Sequence, residues 1–138
     1  MPFPAVIEVD KDGREKAYDV YTRLAKDRIL FLNGVVEENM SNHIIASLLF
    51  LESQNPKAPI NMYINSPGGS VVASMAIYYI MMYIQSPITT IVTGQAASMG
   101  SLLAASGKRR LVTQNSRHMI HQPLGGASGQ ATDVEIQV

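Results

Sequence analysis

Three strand-like runs in this sequence each break at small or turn-forming residues and give way at once to a helical pattern. Arg28-Ile29-Leu30-Phe31-Leu32 reads as a buried strand closed by Asn33-Gly34, ahead of a helix over 37–53 that Asn55-Pro56 ends. Ile60-Asn61-Met62-Tyr63-Ile64-Asn65 alternates apolar and polar residues until Ser66-Pro67-Gly68-Gly69-Ser70 breaks it, before a helix over 71–84. Ile88-Thr89-Thr90-Ile91-Val92-Thr93 runs into Gly94-Gln95-Ala96-Ala97-Ser98-Met99-Gly100, then a helix over 101–106 ended by Gly107. Strands and helices alternating through connections this short imply an α/β fold with a parallel sheet and right-handed crossovers. Sites in such sheets lie beyond the carboxyl ends of the strands, so the loops after the strands should converge.

The helix over 37–53 carries an apolar face of Ile44, Ile45, Leu48, Leu49 and Leu51, with acids in its first turn. The helix over 71–84 is apolar nearly all round, which calls for burial in the domain or against another subunit. Residues 1–17 read as a mobile N-terminal segment with a short hairpin around Asp12-Gly13, and 19–25 as a short helix with Val20, Tyr21 and Leu24 on one side. Two short strands, 110–113 and 117–120, flank Gln114-Asn115-Ser116; the stretch 121–126 is irregular and glycine-rich. Thr132-Asp133-Val134-Glu135 has the pattern of a capping box and starts a further helix.

The 138 residues suit one domain with a proper core. At 46% apolar and 16% charged, the chain has apolar surface to spare, which a subunit interface would cover. Lys plus Arg and Asp plus Glu both number 11, so no global field attracts nucleic acid or an anionic membrane. With no cysteine, disulfides and thiolate metal sites are excluded. No run approaches the roughly 18 apolar residues of a membrane span, and Met1-Pro2-Phe3-Pro4 does not open a secretory signal. The expected location is cytoplasmic, or an organelle interior after processing.

Ser98 falls where a strand turns into a helix, among small neighbours that allow a sharp turn. A serine there is commonly just an N-cap. The same place also suits an acyl-transfer nucleophile, because the first N–H groups of a helix are free to hold an oxyanion. The Gly68-Gly69 pair lets a ligand approach the backbone, and the string contains neither a phosphate-loop nor a dinucleotide fingerprint. His121 closes a strand before Pro123 and a glycine pair, and a histidine is the natural base for a serine hydroxyl. His43 and His118 read as structural or exposed, since strand alternation keeps His118 and His121 from facing the same way. No histidine–carboxylate set has metal-ligand spacing, so no metal and no cofactor are expected.

Together these strings resemble the proteolytic subunit of the Clp protease, a self-compartmentalising serine peptidase family. The matching runs are Tyr18-Asp19-Val20-Tyr21, Tyr63-Ile64-Asn65-Ser66-Pro67-Gly68-Gly69, 94–100, Asn115-Ser116-Arg117, 119–126 and 129–133. The resemblance implies the spiral of strand–helix repeats shared with the crotonases, with a peptidase domain over 18–138. It implies Ser98 as nucleophile, His121 as general base, and the N–H groups of Gly69 and Met99 as the oxyanion hole. It implies that Gly125, Gly126 and Ala127 hold the substrate peptide as an added strand. Family members form two stacked heptameric rings, a tetradecamer. A partner AAA+ ATPase, which uses the ATP, docks outside and feeds unfolded polypeptides in. Its docking surface maps to Asn61, Tyr63, Ile91, Thr93 and Leu111, of which Asn61 and Thr93 are more polar than the family pattern.

Other departures are a slightly shorter stretch between Ser106 and Arg110, Gln114 where a proline is usual, and Tyr79 at a position usually polar. The family's third triad residue, an aspartate, has no match within 138 residues, and Asp133 and Glu135 match its handle helix, which is expected to be incomplete. Two alternatives follow: a truncated or non-catalytic ring subunit, and an acyl-CoA enzyme of the crotonase type. The latter needs no serine–histidine pair.

Overall fold

A two-residue alternation needs one covered face and one open face, and the sheet has both. The computed structural model describes residues 5–121. An N-terminal hairpin pairs β1 (Ala5–Val9) with β2 (Glu15–Asp19) antiparallel, turning at Asp10, whose carboxylate accepts the N–H groups of Asp12 and Arg14. Then follow α1 (Val20–Lys26), β3 (Ile29–Asn33), α2 (Glu38–Gln54), β4 (Ile60–Ser66), α3 (Val71–Tyr83), β5 (Ile88–Ala97), α4 (Met99–Ala105), β6 (Arg109–Val112) and β7 (Arg117–Met119). The main sheet runs β3-β4-β5-β6, all parallel, and β7 pairs with the far end of β5 beyond β6. This is the mostly parallel α/β arrangement expected from the alternation of elements.

The buried residues of β3, β4 and β5, from Leu30 and Leu32 through Met62 and Ile64 to Val92, pack under α2, α3 and α4 with Ile44, Leu48, Ile77 and Leu103. The opposite positions are only half-buried. Phe31, Tyr63, Ile91 and Leu111 stand side by side in register across four strands, with Tyr21 of α1 against the Phe31 ring.

Helix ends obey capping chemistry. Asp19 accepts the Thr22 N–H at 2.8 Å, and Glu37 accepts the N–H groups of Asn39 and Met40. The apolar stripe of α2 is narrower than its sequence suggests: Ile44, Leu48 and Leu51 are buried, whereas Leu49 and Phe50 face outward. Helix α3 is buried on one side only; Val72 and Tyr83 are 81% and 77% exposed.

Strands β4, β6 and β7 differ from expectation by one residue at one or both ends, and two larger features set the bounds of β3 and β5. Arg28 is not in β3, because its backbone is left-handed (φ 65°). Its guanidinium donates to the carbonyls of Leu51, Asn55, Ala58 and Pro59 and to Ser86 Oγ, tying the end of α2 to the start of β5. Strand β5 runs on to Ala97, four residues past Thr93, because β7 provides a second partner for Gln95, Ala96 and Ala97.

Beside Arg28, the Glu52 carboxylate accepts from Ser86 Oγ at 2.7 Å and from the N–H groups of Gln85 and Ser86. The Ser86 hydroxyl above all, then these amides, hold the Glu52 carboxyl below its ordinary value. A depressed carboxyl contributes stability above the unfolded-state range and loses it as pH falls through the folded one. Glu52→Gln should therefore lower the melting temperature at pH 7, and the gap to wild type should close on acidification below about pH 4. A gap constant from pH 7 to pH 3 in thermal unfolding would show that the carboxylate charge is not what matters.

Candidate active site

Between Ile64 and Ser66 the β4–β5 register shifts. Ile64 pairs with Val92 but Ser66 with Ala96, so β5 carries two extra residues over this step. An even insertion keeps Ala96 on the same face as Val92, and both are buried. Asn65 Oδ1 accepts the Gln95 N–H at 3.2 Å and holds the bulge. The shift takes up two residues of β5, so that Ala96 lies opposite Ser66 and the end of β5 comes level with the loop that follows β4.

That loop is folded tightly on itself. Ser66, fully buried, donates its hydroxyl to Gly34 O at 2.6 Å and accepts the Gly68 N–H at 3.0 Å. Gly68 and Gly69 have φ of 95° and 155°, a region that side chains disfavour. A Cβ on Gly68 would sit 2.7 Å from Ala97 O, 2.9 Å from Ser98 Cβ and 3.1 Å from Met99 N, so the loop lies directly against the strand-to-helix turn. Gly69 is bridged to Val36: Val36 N–H donates to Gly68 O and Ser70 N–H to Val36 O. In a parallel bridge of this kind the Gly69 N–H points away from Val36.

Ser98 is the whole of the turn between β5 and α4. Its φ of 57° and ψ of −125° are a strained conformation for an L-residue, costing about 1–3 kcal/mol. Although it stands at the N-cap position, its hydroxyl makes no capping hydrogen bond. The simple capping explanation for this serine therefore fails. A serine on a sharp, strained strand-to-helix turn is the geometry of a nucleophile elbow. Met99 opens α4, so its N–H has no acceptor within the helix.

The third segment meets the elbow through the backbone. Ser98 N–H donates to Met119 O at 2.7 Å, and His121 follows two residues later as an exposed side chain. The loop at 68–69 and the end of β7 at Met119 thus both meet the turn at 98–99; the rest of the third loop, 122–126, lies outside the described residues. Gly125, Gly126 and Ala127, and the helix expected from Thr132, lie outside the described residues. His43 lines a concavity of about 740 Å³ between α1, β3 and α2, with Tyr21, Ala25, Phe31 and Phe50, which includes none of the residues around Ser98. His118 is exposed, with its ring beside Ser101. Among the described residues no group of three or more His, Asp or Glu is placed to hold a metal ion, and no helix is long and apolar enough to cross a membrane.

The expected docking residues Tyr63, Ile91 and Leu111 share the half-open row on the uncovered face. Asn61 lies one step back along β4, and Thr93 sits at the bulge. Sequence reasoning read Asn65 only as the end of a strand and Ser66 only as part of its break. Their type was the available signal, since Asn and Ser beside a turn bond local backbone.

A parallel α/β layer with a strained serine between strand and helix, faced by a diglycine loop, is the layout that serine hydrolases of the elbow type use. The family model described as Clp protease matches residues 12–138, and the chain belongs to that family of serine peptidases.

The close approach of Gly68 generates a test. Gly68→Ala adds both left-handed strain and a collision with Ala97 and Ser98, so it should destabilise by about 2 kcal/mol or more, a fall in melting temperature of roughly 5–10 °C. A melting temperature within 1–2 °C of wild type, about the size of a surface substitution, would mean the loop does not rest on the elbow.

Proposed function

We propose that this chain is a Clp-type serine endopeptidase subunit that cleaves unfolded polypeptides through an acyl-enzyme on Ser98. The observation that carries this reading is the strained Ser98 backbone with a hydroxyl not used for capping, packed against Gly68. The Ser98 oxygen attacks the scissile carbonyl carbon, and its proton passes to His121. The N–H groups of Gly69 and Met99 stabilise the negative oxygen of the tetrahedral intermediate. When the peptide C–N bond breaks, the proton returns from the imidazolium to the leaving amine. Water then enters by the same route and frees the serine. Residues Gly125, Gly126 and Ala127 take the substrate as an additional strand, its main chain read without regard to side chains.

The Clp protease family generally forms rings and works with Clp ATPases. For this chain, stacked heptameric rings are supported by the outward Val71, Val72, Tyr79, Met82 and Tyr83 of α3 and by Phe50, 61% exposed. An AAA+ ATPase docks on the uncovered sheet face around Tyr63, Ile91 and Leu111, with Asn61 and Thr93 weakening the apolar contact. ATP is consumed by that partner, and this chain itself needs no cofactor.

Labelling with a fluorophosphonate tests the centre. Wild type should be labelled, Ser98→Ala not at all, and His121→Ala about 10²–10⁴-fold more slowly, the contribution of a general base. Label on another residue, or an undiminished rate in His121→Ala, would overturn the assignment. For docking, Asn61→Tyr should tighten ATPase binding by about tenfold, as expected for about 1.4 kcal/mol of added apolar contact. Equal binding by the two proteins would remove Asn61 from the interface.

A further inference from the structure

One polar side-chain contact joins β7 to α4 across the elbow. The Ser101 hydroxyl and Nδ1 of His118 lie 3.3 Å apart, and the imidazole's tautomer decides which donates. Ser101 is buried in the first turn of α4, whereas His118 is exposed at the rim. The pair brackets Ser98 on both sides. Ser101 N–H donates to Ser98 O at 3.0 Å. His118 is the ladder neighbour of Ala96, two residues before Ser98, and the carbonyl that accepts the Ser98 N–H belongs to the next residue, Met119.

Ser101 and His118 are not a second nucleophile and base. Ser101 sits inside a helix and is buried, so no substrate carbonyl can reach it with donors placed for an oxyanion. The contact works instead as a tie. A strained residue persists only where its surroundings over-determine it. If Ser98 relaxed into helical dihedrals, α4 would extend by one residue and both Ser98 Oγ and the Met99 N–H would swing. The backbone bond to Met119 resists this from the strand side. The Ser101–His118 contact resists it from the helix side, by fixing the first turn of α4 to β7.

We propose that His118 is a positioning residue for Ser98, acting through the Ser101 hydroxyl. This rests on the reading of Ser98 as nucleophile. It also assigns a role to a histidine that sequence reasoning left as structural or exposed.

The test compares wild type, Ser101→Ala, His118→Ala, the double variant and His118→Asn in the full chain. Asparagine carries an amide close to where Nδ1 stands. Two quantities are read: saturation kinetics of fluorophosphonate labelling, and amide hydrogen exchange at residues 98–100. Both single variants and the double should slow the maximal labelling rate by the same factor, about five- to twentyfold, below the ~10²-fold that a 1 Å misplacement costs. The half-saturating probe concentration should not change. His118→Asn should return the rate to within about twofold, and exchange should quicken in the three slow variants only. Multiplicative losses in the double variant, a change confined to half-saturation, full rates in the singles, or a His118→Asn as slow as His118→Ala would each overturn the proposal. If wild-type Ser98 takes no probe, the nucleophile reading fails by itself and exchange alone decides. Unchanged exchange in Ser101→Ala and His118→Ala then overturns the positioning role, and faster exchange supports it.

Discussion

Ser98 keeps a backbone conformation that costs about 1–3 kcal/mol, and much of the surrounding structure serves to hold it there. Strand β5 delivers the chain in extended form as far as Ala97, and α4 takes it up at Met99, which leaves one residue to make the whole change of direction. The ladder to β7 pins the incoming side, ending in the bond from Ser98 N–H to Met119 O. Gly68 presses on the outside of the turn so closely that a methyl group would collide with it. A relaxed serine would have to move strand, loop or helix, and each is anchored in the core.

The two-residue shift between β4 and β5 makes that arrangement possible. Without it, Ser66 would pair with Gly94 and Ser98 would overshoot Gly68 by two residues; with it, Ser98 comes level with Gly68, whose added Cβ would touch it. Because the insertion is even, the buried face continues through Ala96, so the core is not interrupted. Asn65 satisfies a backbone donor in the bulge, as an irregular ladder requires. Local irregularity and site geometry have one cause here.

The sheet is covered by helices on one face, and the other is left half-open along Phe31, Tyr63, Ile91 and Leu111. Together with the outward residues of α3, this leaves a sizeable apolar surface open on the chain. At the opposite end of the strands, Arg28 and Glu52 gather carbonyls and amides from the end of α2 and the approaches to β4 and β5. That knot fixes where the strands begin. It bears on the site only through the rigidity it gives the sheet.

Much of this was legible without coordinates. Alternation in 60–65, the apolar run 88–93, and the short glycine- and serine-rich connections dictate parallel strands and helices, because periodicity and turn chemistry act locally. The strings around Ser98 and Gly68 carried the family, because short runs of small and turn-forming residues are read locally. The sequence could not reveal that β5 extends to Ala97, that Ser98 is left-handed, or that Leu49 and Phe50 turn outward. Nor did it show that the Ser101 hydroxyl would meet a histidine from another strand. Each of these depends on which segments become neighbours, and pairing between distant strands is set by the packed sheet as a whole rather than by any stretch of chain.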